Sequence, residues 1–341
     1  TPAITSNGAG ATAAVSIAEN TTAVITVTAT DADLPAQTLS YSIVGGADAG
    51  KFTINASTGV LAFATAPDYE TPTDAGANNV YDVTVQVSDG LLSTTQAIAV
   101  TVTPVNDNTP AITSNGAGAT AAVSIAENTT AVTTVTATDA DLPAQTLSYS
   151  IVGGADAAKF TINASTGVLA FATAPDFETP TDAGTNNIYD VTVQVSDGLL
   201  TSTQTIAVTV TPVNDNTPAI TSNGAGATAA VSIAENTIAV TTVTATDADL
   251  PAQTLSYSIV GGADAAKFTI NPSTGVLAFA TAPDYETPTD AGANNIYDIT
   301  VQVSDGLLTA TQAIAVTVTP VNDNTPAITS NGAGATAAVS I

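Results

Sequence analysis

Tyr81, Val83, Val85 and Val87 alternate with Asp82, Thr84, Gln86 and Ser88, a period of two that turns one face of an extended strand to a core and the other to water. Ile98, Val100 and Val102 alternate in the same way with Ala99, Thr101 and Thr103 and predict its partner, with Asp89-Gly90 as the turn between them. Upstream, Leu39, Tyr41 and Ile43 alternate with Ser40 and Ser42 until Gly45-Gly46 breaks the run. Phe52-Thr53-Ile54 and Gly59 to Phe63 flank Asn55-Ala56-Ser57-Thr58, a hairpin signal, and the Val- and Thr-rich stretch from Ala23 to Thr30 reads as one further strand. Ala13 to Ile17 supplies the first strand, and Pro67 to Asn79 is a polar, turn-rich loop. No stretch holds a 3.6-residue period for a useful length, because Gly or Pro interrupts each longer Ala-rich segment. Roughly seven short strands with turns between them predict an all-β fold, a seven-stranded antiparallel Greek-key β-sandwich. Aromatic residues are few, so the core is expected to be mainly Val, Ile, Leu and Ala.

The whole pattern recurs. Pro104-Val105-Asn106-Asp107-Asn108-Thr109-Pro110 returns as Pro212 to Pro218 and again as Pro320 to Pro326, 108 residues apart each time. The 341 residues therefore divide into repeats 1–108, 109–216 and 217–324, while 325–341 matches Thr1 to Ile17 residue for residue and reads as the first-strand segment of a fourth repeat. The chain has the look of a window cut from a longer array. A repeat of this length holds one small core. Each heptad between repeats is short, stiffened by a proline at either end, and filled with side-chain oxygens. Such a segment suits a cation better than a swivel.

Charge sharpens that reading. Thirty Asp and Glu against three Lys and Arg leave a net charge of −27, spread evenly over the repeats. A uniform acid excess excludes nucleic acid and anionic membrane surfaces as partners and draws in divalent cations. The absence of histidine and cysteine removes the commonest general base, the thiolate nucleophile and the soft metal ligands, which argues against zinc and iron. A long β array without cysteine is consistent with secretion by a cell that avoids disulfides. No apolar run is long enough to cross a bilayer, so no membrane insertion is expected.

Seven of the ten carboxylates in repeat 1 fall in short motifs: Glu19 in A-E-N, Asp31 and Asp33 in D-A-D, Asp68 and Glu70 in P-D-Y-E, Asp89 in S-D-G and Asp107 in N-D-N-T-P. Only Asp48, Asp74 and Asp82 stand outside them. Carboxylates brought together without a cation repel and raise one another's pKa, so clustering of this kind needs a reason. Five motifs in this order, three times over, resemble the calcium motifs of cadherin repeats, and the Thr- and Ala-rich, cysteine-free composition resembles the bacterial cadherin-like repeats of large surface adhesins.

The resemblance implies Ca2+ at each joint, held by both neighbours. For the first joint it implies Glu19, Asp68, Glu70, Asn106 and Asp107 from one repeat and Asp139, Asp141 and Asp197 from the next, with Val105 and Asn108 at positions that give backbone carbonyls. For the second joint it implies Glu127, Asp176, Glu178, Asn214, Asp215 and Asn216 with Asp247, Asp249 and Asp305. Asp31, Asp33 and Asp89 at one end, and Glu235, Asp284, Glu286, Asn322 and Asp323 at the other, are expected to be complementary half-sites. Hard oxygen ligands in this number suit calcium better than magnesium, which demands a tighter octahedron. One departure is that Pro104, Pro212 and Pro320 stand where the family's linker opens with an aspartate, which implies two firm ions and one weaker. The loop Leu142-Pro143-Ala144-Gln145 also lacks the family's asparagine.

The function implied is an extracellular, calcium-rigidified spacer of a bacterial surface adhesin. Two alternatives stay open: an adhesive module that binds a like chain, a cell-surface ligand or a polysaccharide, and a filament subunit whose segment 325–341 completes the next chain. The repeats differ little, as at Tyr69 against Phe177 and Ala164 against Pro272, and such homogeneity favours the spacer. Asp68 and Glu70 form a carboxylate pair of glycosidase type, but residues two apart on an extended segment point to opposite sides and no aromatic sugar platform accompanies them, so no enzymatic activity is expected. Lys51, Lys159 and Lys267 read as solubilising residues beside a turn.

Overall fold

The structure, a computed structural model, describes residues 1–327. Packing divides the chain into two compact units, one of residues 1–125, 129–174 and 182–209, the other of 126–128, 175–181 and Val210 onward. Each joint between repeats falls inside a single unit.

In repeat 1 the strands are β1 (Ala3–Ile4), β2 (Thr12–Ala18), β3 (Ala23–Thr26), β4 (Ala29–Thr30), β5 (Ser40–Gly45), β6 (Phe52–Ile54), β7 (Val60–Phe63), β8 (Val80–Ser88) and β9 (Ser93–Thr103). Seven of them make the sandwich, as a four-stranded sheet β2-β9-β8-β5 and a three-stranded sheet β3-β7-β6, while β1 and β4 form a short ribbon. Strands β8 and β9 pair without a break from Val80 opposite Thr101 to Ser88 opposite Ser93. That register puts Tyr81, Val83, Val85, Val87, Ile98, Val100 and Val102 on one face, all of them buried. Phe52, Leu61 and Phe63 of the second sheet close over them. Each fully buried side chain of this size contributes about 1.5–3 kcal/mol of transfer free energy. The few aromatics are concentrated at the centre: Phe52 and Phe63 lie 4.4 Å apart, and Phe63 meets Tyr81 edge-on at 5.0 Å. Alanine stays at the margin of the core, partly buried at Ala13 and Ala29.

The second unit repeats this core with Phe268, Leu277, Phe279, Tyr297, Ile299, Val301, Ile314 and Val316. Helix is confined, among the described residues, to three-residue 3-10 turns. The strand segment expected over 325–341 lies outside the described residues from 328 onward.

Two expectations need correction. The sandwich is not wholly antiparallel: β2 runs parallel to β9, from Thr12 beside Ala97 to Ala18 beside Thr103. An alternating pattern is the same for either strand direction, so sequence could not decide it. The parallel run carries Glu19 and Pro104 out of the sheet at the same end, where the Glu19 amide donates to the Thr103 carbonyl at 3.0 Å. Nor is Ala23 to Thr30 one strand. β3 pairs with β7 and β4 with β1, and between them the fully buried Val27 donates its amide to Gly59 O at 2.8 Å. Gly59 has φ 71°, and a Cβ there would lie 2.2 Å from Val27 O, so only glycine fits.

Candidate metal centre at the joints

In the first unit, the joint follows Thr103, the last residue of β9, and precedes the strand Ala111–Ile112. Glu19 is almost fully buried there. Its Oε1 accepts the Val105 amide and its Oε2 the Tyr69 amide, each at 2.7 Å, so one carboxylate ties the end of β2 to the joint and to the P-D-Y-E loop. Asp68 Oδ1 accepts the Thr71 amide at 3.0 Å. Glu70 Oε1 accepts the Leu142 amide at 3.0 Å, reaching the D-A-D loop of the second repeat. From that repeat, Asp141 Oδ1 accepts the Asn108 amide at 3.1 Å and Asn108 Nδ2 at 2.8 Å, and Asp139 Oδ1 accepts the Asp141 amide at 3.0 Å. Asp197 Oδ1 accepts two amides, from Leu199 and Leu200, at 2.7 Å each.

These bonds gather the acids into linked groups. Carboxylate oxygens of Glu19, Asp68 and Glu70 lie within 4.8 Å of one another, as do those of Glu70, Asp107 and Asp141, and those of Asp139, Asp141 and Asp197. Glu70 belongs to the first two triads and Asp141 to the last two, so three oxygen-lined positions run in series across the joint. In the third triad the Oδ2 atoms of Asp139, Asp141 and Asp197 are buried and meet no donor, and Asn106 Oδ1 is the same. One oxygen of each aspartate is thus held by backbone or amide N–H groups while the other is buried and unsatisfied. A buried acceptor left without a partner costs about 1–3 kcal/mol, more when it is charged. Several such oxygens and no nitrogen or sulfur donor fit a hard cation of calcium's type.

Electrostatics agree. Burial pushes Glu70 up, and the nearby Glu19 and Asp141 charges add to that against the Leu142 hydrogen bond. Burial also raises Asp107, with the Glu19 charge next in weight. For Asp141 burial acts upward too, but the Asn108 side-chain and backbone donors outweigh it and hold the group low. The Leu199 and Leu200 amides do the same for Asp197 against its burial. An oxygen-rich cluster with members pushed both ways is one that protons and a cation compete for.

The second unit builds the second joint alike. Glu127 accepts the Phe177 and Val213 amides at 2.7 Å, Glu178 accepts the Leu250 amide at 3.0 Å, and Asp249 Oδ1 accepts Asn216 Nδ2 at 2.8 Å. Asp305 accepts the Leu307 and Leu308 amides at 2.7 Å, and Asp247 Oδ2 is buried without a donor. Carboxylate oxygens of Glu127, Asp176 and Glu178 lie within 4.8 Å of one another. Asn214 donates its side-chain Nδ2 to Asp249 Oδ2 and Asp305 Oδ2, at 3.3 Å each, and its oxygen accepts from Gln253 Nε2 at 3.0 Å. Asp215 is bonded by Asn128 Nδ2 at 2.5 Å. Of the half-sites, Asp31, Asp33 and Asp89 converge within 4.8 Å, with the Thr1 ammonium 3.6 Å from Asp33. At the far end Glu235 accepts the Tyr285 and Val321 amides at 2.7 Å, Asp284 Oδ1 accepts the Glu286 amide at 3.0 Å, and Asp323, next to Asn322, accepts Asn236 Nδ2 at 2.6 Å.

Three contributions were not expected. Asn108 and Asn216 use their side chains as donors to Asp141 and Asp249 rather than offering only backbone. Gln145 accepts from Asn106 Nδ2 at 3.2 Å and Gln253 donates to Asp249 Oδ2 at 3.3 Å, so the residue that departs from the family pattern reaches the cluster. The asparagine of A-E-N, as Asn20, Asn128 and Asn236, bonds the joint aspartate in every repeat, a role that its threefold recurrence could have signalled. Asp48 and Asp74, outside the motifs, are buried clamps: Asp48 accepts the Ala75 and Asp82 amides at 2.7 and 2.9 Å, and Asp74 accepts those of Gly76, Asn78 and Asn79 at 3.0 Å.

Tandem sandwiches whose strands β2 and β9 run parallel into an acid-lined joint define a linear array of β-repeats. The cadherin domain model matches residues 13–103, 121–211 and 229–319, and the chain belongs to the cadherin family. Human protocadherin Fat 1 is 33% identical over 317 residues, covering 89% of this chain and 6% of that protein. Rat protocadherin Fat 2 is 32% identical over 340 residues, covering 92% of this chain and 7% of that one. The crystal structure of mouse cadherin-23 EC22-24 superposes with a TM-score of 0.64 at 25% identity, covering 94% of this chain and 99% of that one. The chain thus spans 6–7% of the length of these two curated relatives. No helix among the described residues is long and apolar enough to cross a membrane.

Proposed function

We propose that this chain is a calcium-stiffened extracellular spacer, built of domains 1–108, 109–216 and 217–324, with Ca2+ at each joint. At the first joint Glu19, Asp68, Glu70, Asp107, Asp139, Asp141, Asp197 and Asn106 supply the side-chain oxygens. At the second, Glu127, Asp176, Glu178, Asp215, Asp247, Asp249, Asp305 and Asn214 do so. The observation that carries this reading is that carboxylate oxygens of Asp139, Asp141 and Asp197 lie within 4.8 Å of one another while an oxygen of each, and Asn106 Oδ1, is buried without a donor. Bound calcium would supply the positive charge they lack, and because they come from both sides of the joint, it would couple the two repeats. The near-identity of the repeats supports a structural role over a recognition surface. Placement in a bacterial surface adhesin rests on the Thr- and Ala-rich, cysteine-free composition, since the relatives named above are animal proteins.

Small-angle scattering with and without chelator tests the coupling. In calcium the maximum dimension should be fixed and long; in chelator the mean length should shorten as the joints loosen. An identical scattering profile in both conditions would remove the calcium joint.

A further inference from the structure

The three lysines are the only side-chain cations against thirty carboxylates, and they occupy one position per repeat. Among the described residues no carboxylate lies within ion-pair distance of Lys51 or Lys267; the ion pairs found involve the Thr1 ammonium. Instead, Lys51 lines a cavity of about 400 Å³ together with Phe63, Asp68, Thr71, Thr73 and Tyr81. In the second unit Lys267 lines a cavity of about 540 Å³ with Phe279, Asp284, Thr287, Thr289 and Tyr297, the same positions in the repeat. Both volumes fall in the range of about 300–1,000 Å³ that small-molecule sites occupy.

The cavity is a built one. The buried Asp48 joins its walls: its carboxylate accepts the Ala75 and Asp82 amides, and its carbonyl accepts the Lys51 amide at 2.8 Å. The turn carrying Lys51, the loop carrying Thr71 and Thr73, and the strand carrying Tyr81 are thereby held together. Phe63 and Tyr81, only 4% and 1% exposed, are core residues beneath the cavity, and the Tyr81 hydroxyl accepts the Thr73 amide at 3.2 Å. An ammonium with no carboxylate partner beside threonine hydroxyls is the equipment for a compact polyhydroxylated ligand that bears one carboxylate.

We propose that repeats 1 and 3 each carry a pocket for an acidic sugar, with the ligand carboxylate on Lys51 or Lys267 and the ring hydroxyls on the threonines. Asp68 lines the first of these pockets and also belongs to an acid cluster, so the inference rests on the calcium reading, under which a cation neutralises the carboxylate that would otherwise repel the ligand.

The test is a chemical-shift titration of the full chain, in saturating calcium, with galacturonate and with galactose. Galacturonate should bind at least tenfold more tightly than galactose. Lys51→Met and Lys267→Met together should weaken galacturonate at least tenfold, whereas the two Lys→Arg changes should retain most of the affinity. No galacturonate binding, equal binding of galactose, or galacturonate binding unaffected by the Met variant would overturn the pocket. Failure of the calcium reading would show separately, as absence of calcium binding in a titration of the sugar-free chain, which the lysine substitutions should leave unchanged.

Discussion

Replacing Asp141 by alanine should cost the first joint at least tenfold in calcium affinity and leave the second joint as it was. Asp141 is a member of two of the three oxygen triads, so no other single residue of the second repeat contributes to as many positions. Its loss also removes the acceptor for the Asn108 amide and side chain, which loosens the joint segment itself. A tenfold loss corresponds to about 1.4 kcal/mol, modest for a carboxylate leaving a buried cluster. The measurement is a calorimetric calcium titration of the full chain, in which two classes of joint should separate. Asp249→Ala should give the mirror result at the second joint, and Asp82→Ala, whose exposed carboxylate lies outside the motifs, should leave both joints alone. Equal weakening of both joints by Asp141→Ala would mean that the ligands are wrongly assigned.

Chelation should lower the unfolding midpoint by at least about 10 °C. A ligand that binds only the folded state at a hundredfold its dissociation constant stabilises by about 2.7 kcal/mol, and a domain near one hundred residues moves roughly 4–8 °C per kcal/mol. The acidity of the medium should modulate this loss in a definite direction. Burial and neighbouring charge raise Glu70, Asp107 and Glu178, so in chelator these groups favour the unfolded chain once they are forced to ionise. Their penalty is present at neutral pH and fades as pH falls through their raised values toward the ordinary carboxylate range. Asp141, Asp197, Asp249 and Asp305 are held low and act oppositely, but the stability they contribute is lost only below that ordinary range. The midpoint in chelator should therefore rise on mild acidification, and the midpoint in calcium should fall as protons displace the ion. Calorimetric scans at several pH values, with and without chelator, would show it; parallel behaviour in the two conditions would contradict it.

Much of this was legible in the residue pattern, for a physical reason. A two-residue period over Tyr81 to Val87 has only one face that can be buried, so the core stripe follows from the alternation and the β8–β9 pairing from the Asp89-Gly90 turn between two alternating runs. The acid motifs were legible because a short oxygen-rich segment between prolines has few structural uses. Strand direction was not, since β2 reads the same parallel or antiparallel to β9, yet that direction is what brings Glu19 to the joint. The break at Val27 depends on Gly59 offering its carbonyl from a neighbouring strand, a contact that no local pattern contains. Asp48 and Asp74 stand outside the acid motifs and carry no role in the sequence, because their partners are backbone amides, which have no residue identity to read.

The most direct test of the account is a crystal structure of the chain grown in millimolar calcium, with anomalous diffraction data. The account predicts anomalous density between Asp139, Asp141 and Asp197, at about 2.3–2.6 Å from their Oδ2 atoms and from Asn106 Oδ1, with a second strong peak among the triads that contain Glu70 and a weaker third. Water at hydrogen-bonding distance in those positions, without anomalous signal, would contradict it.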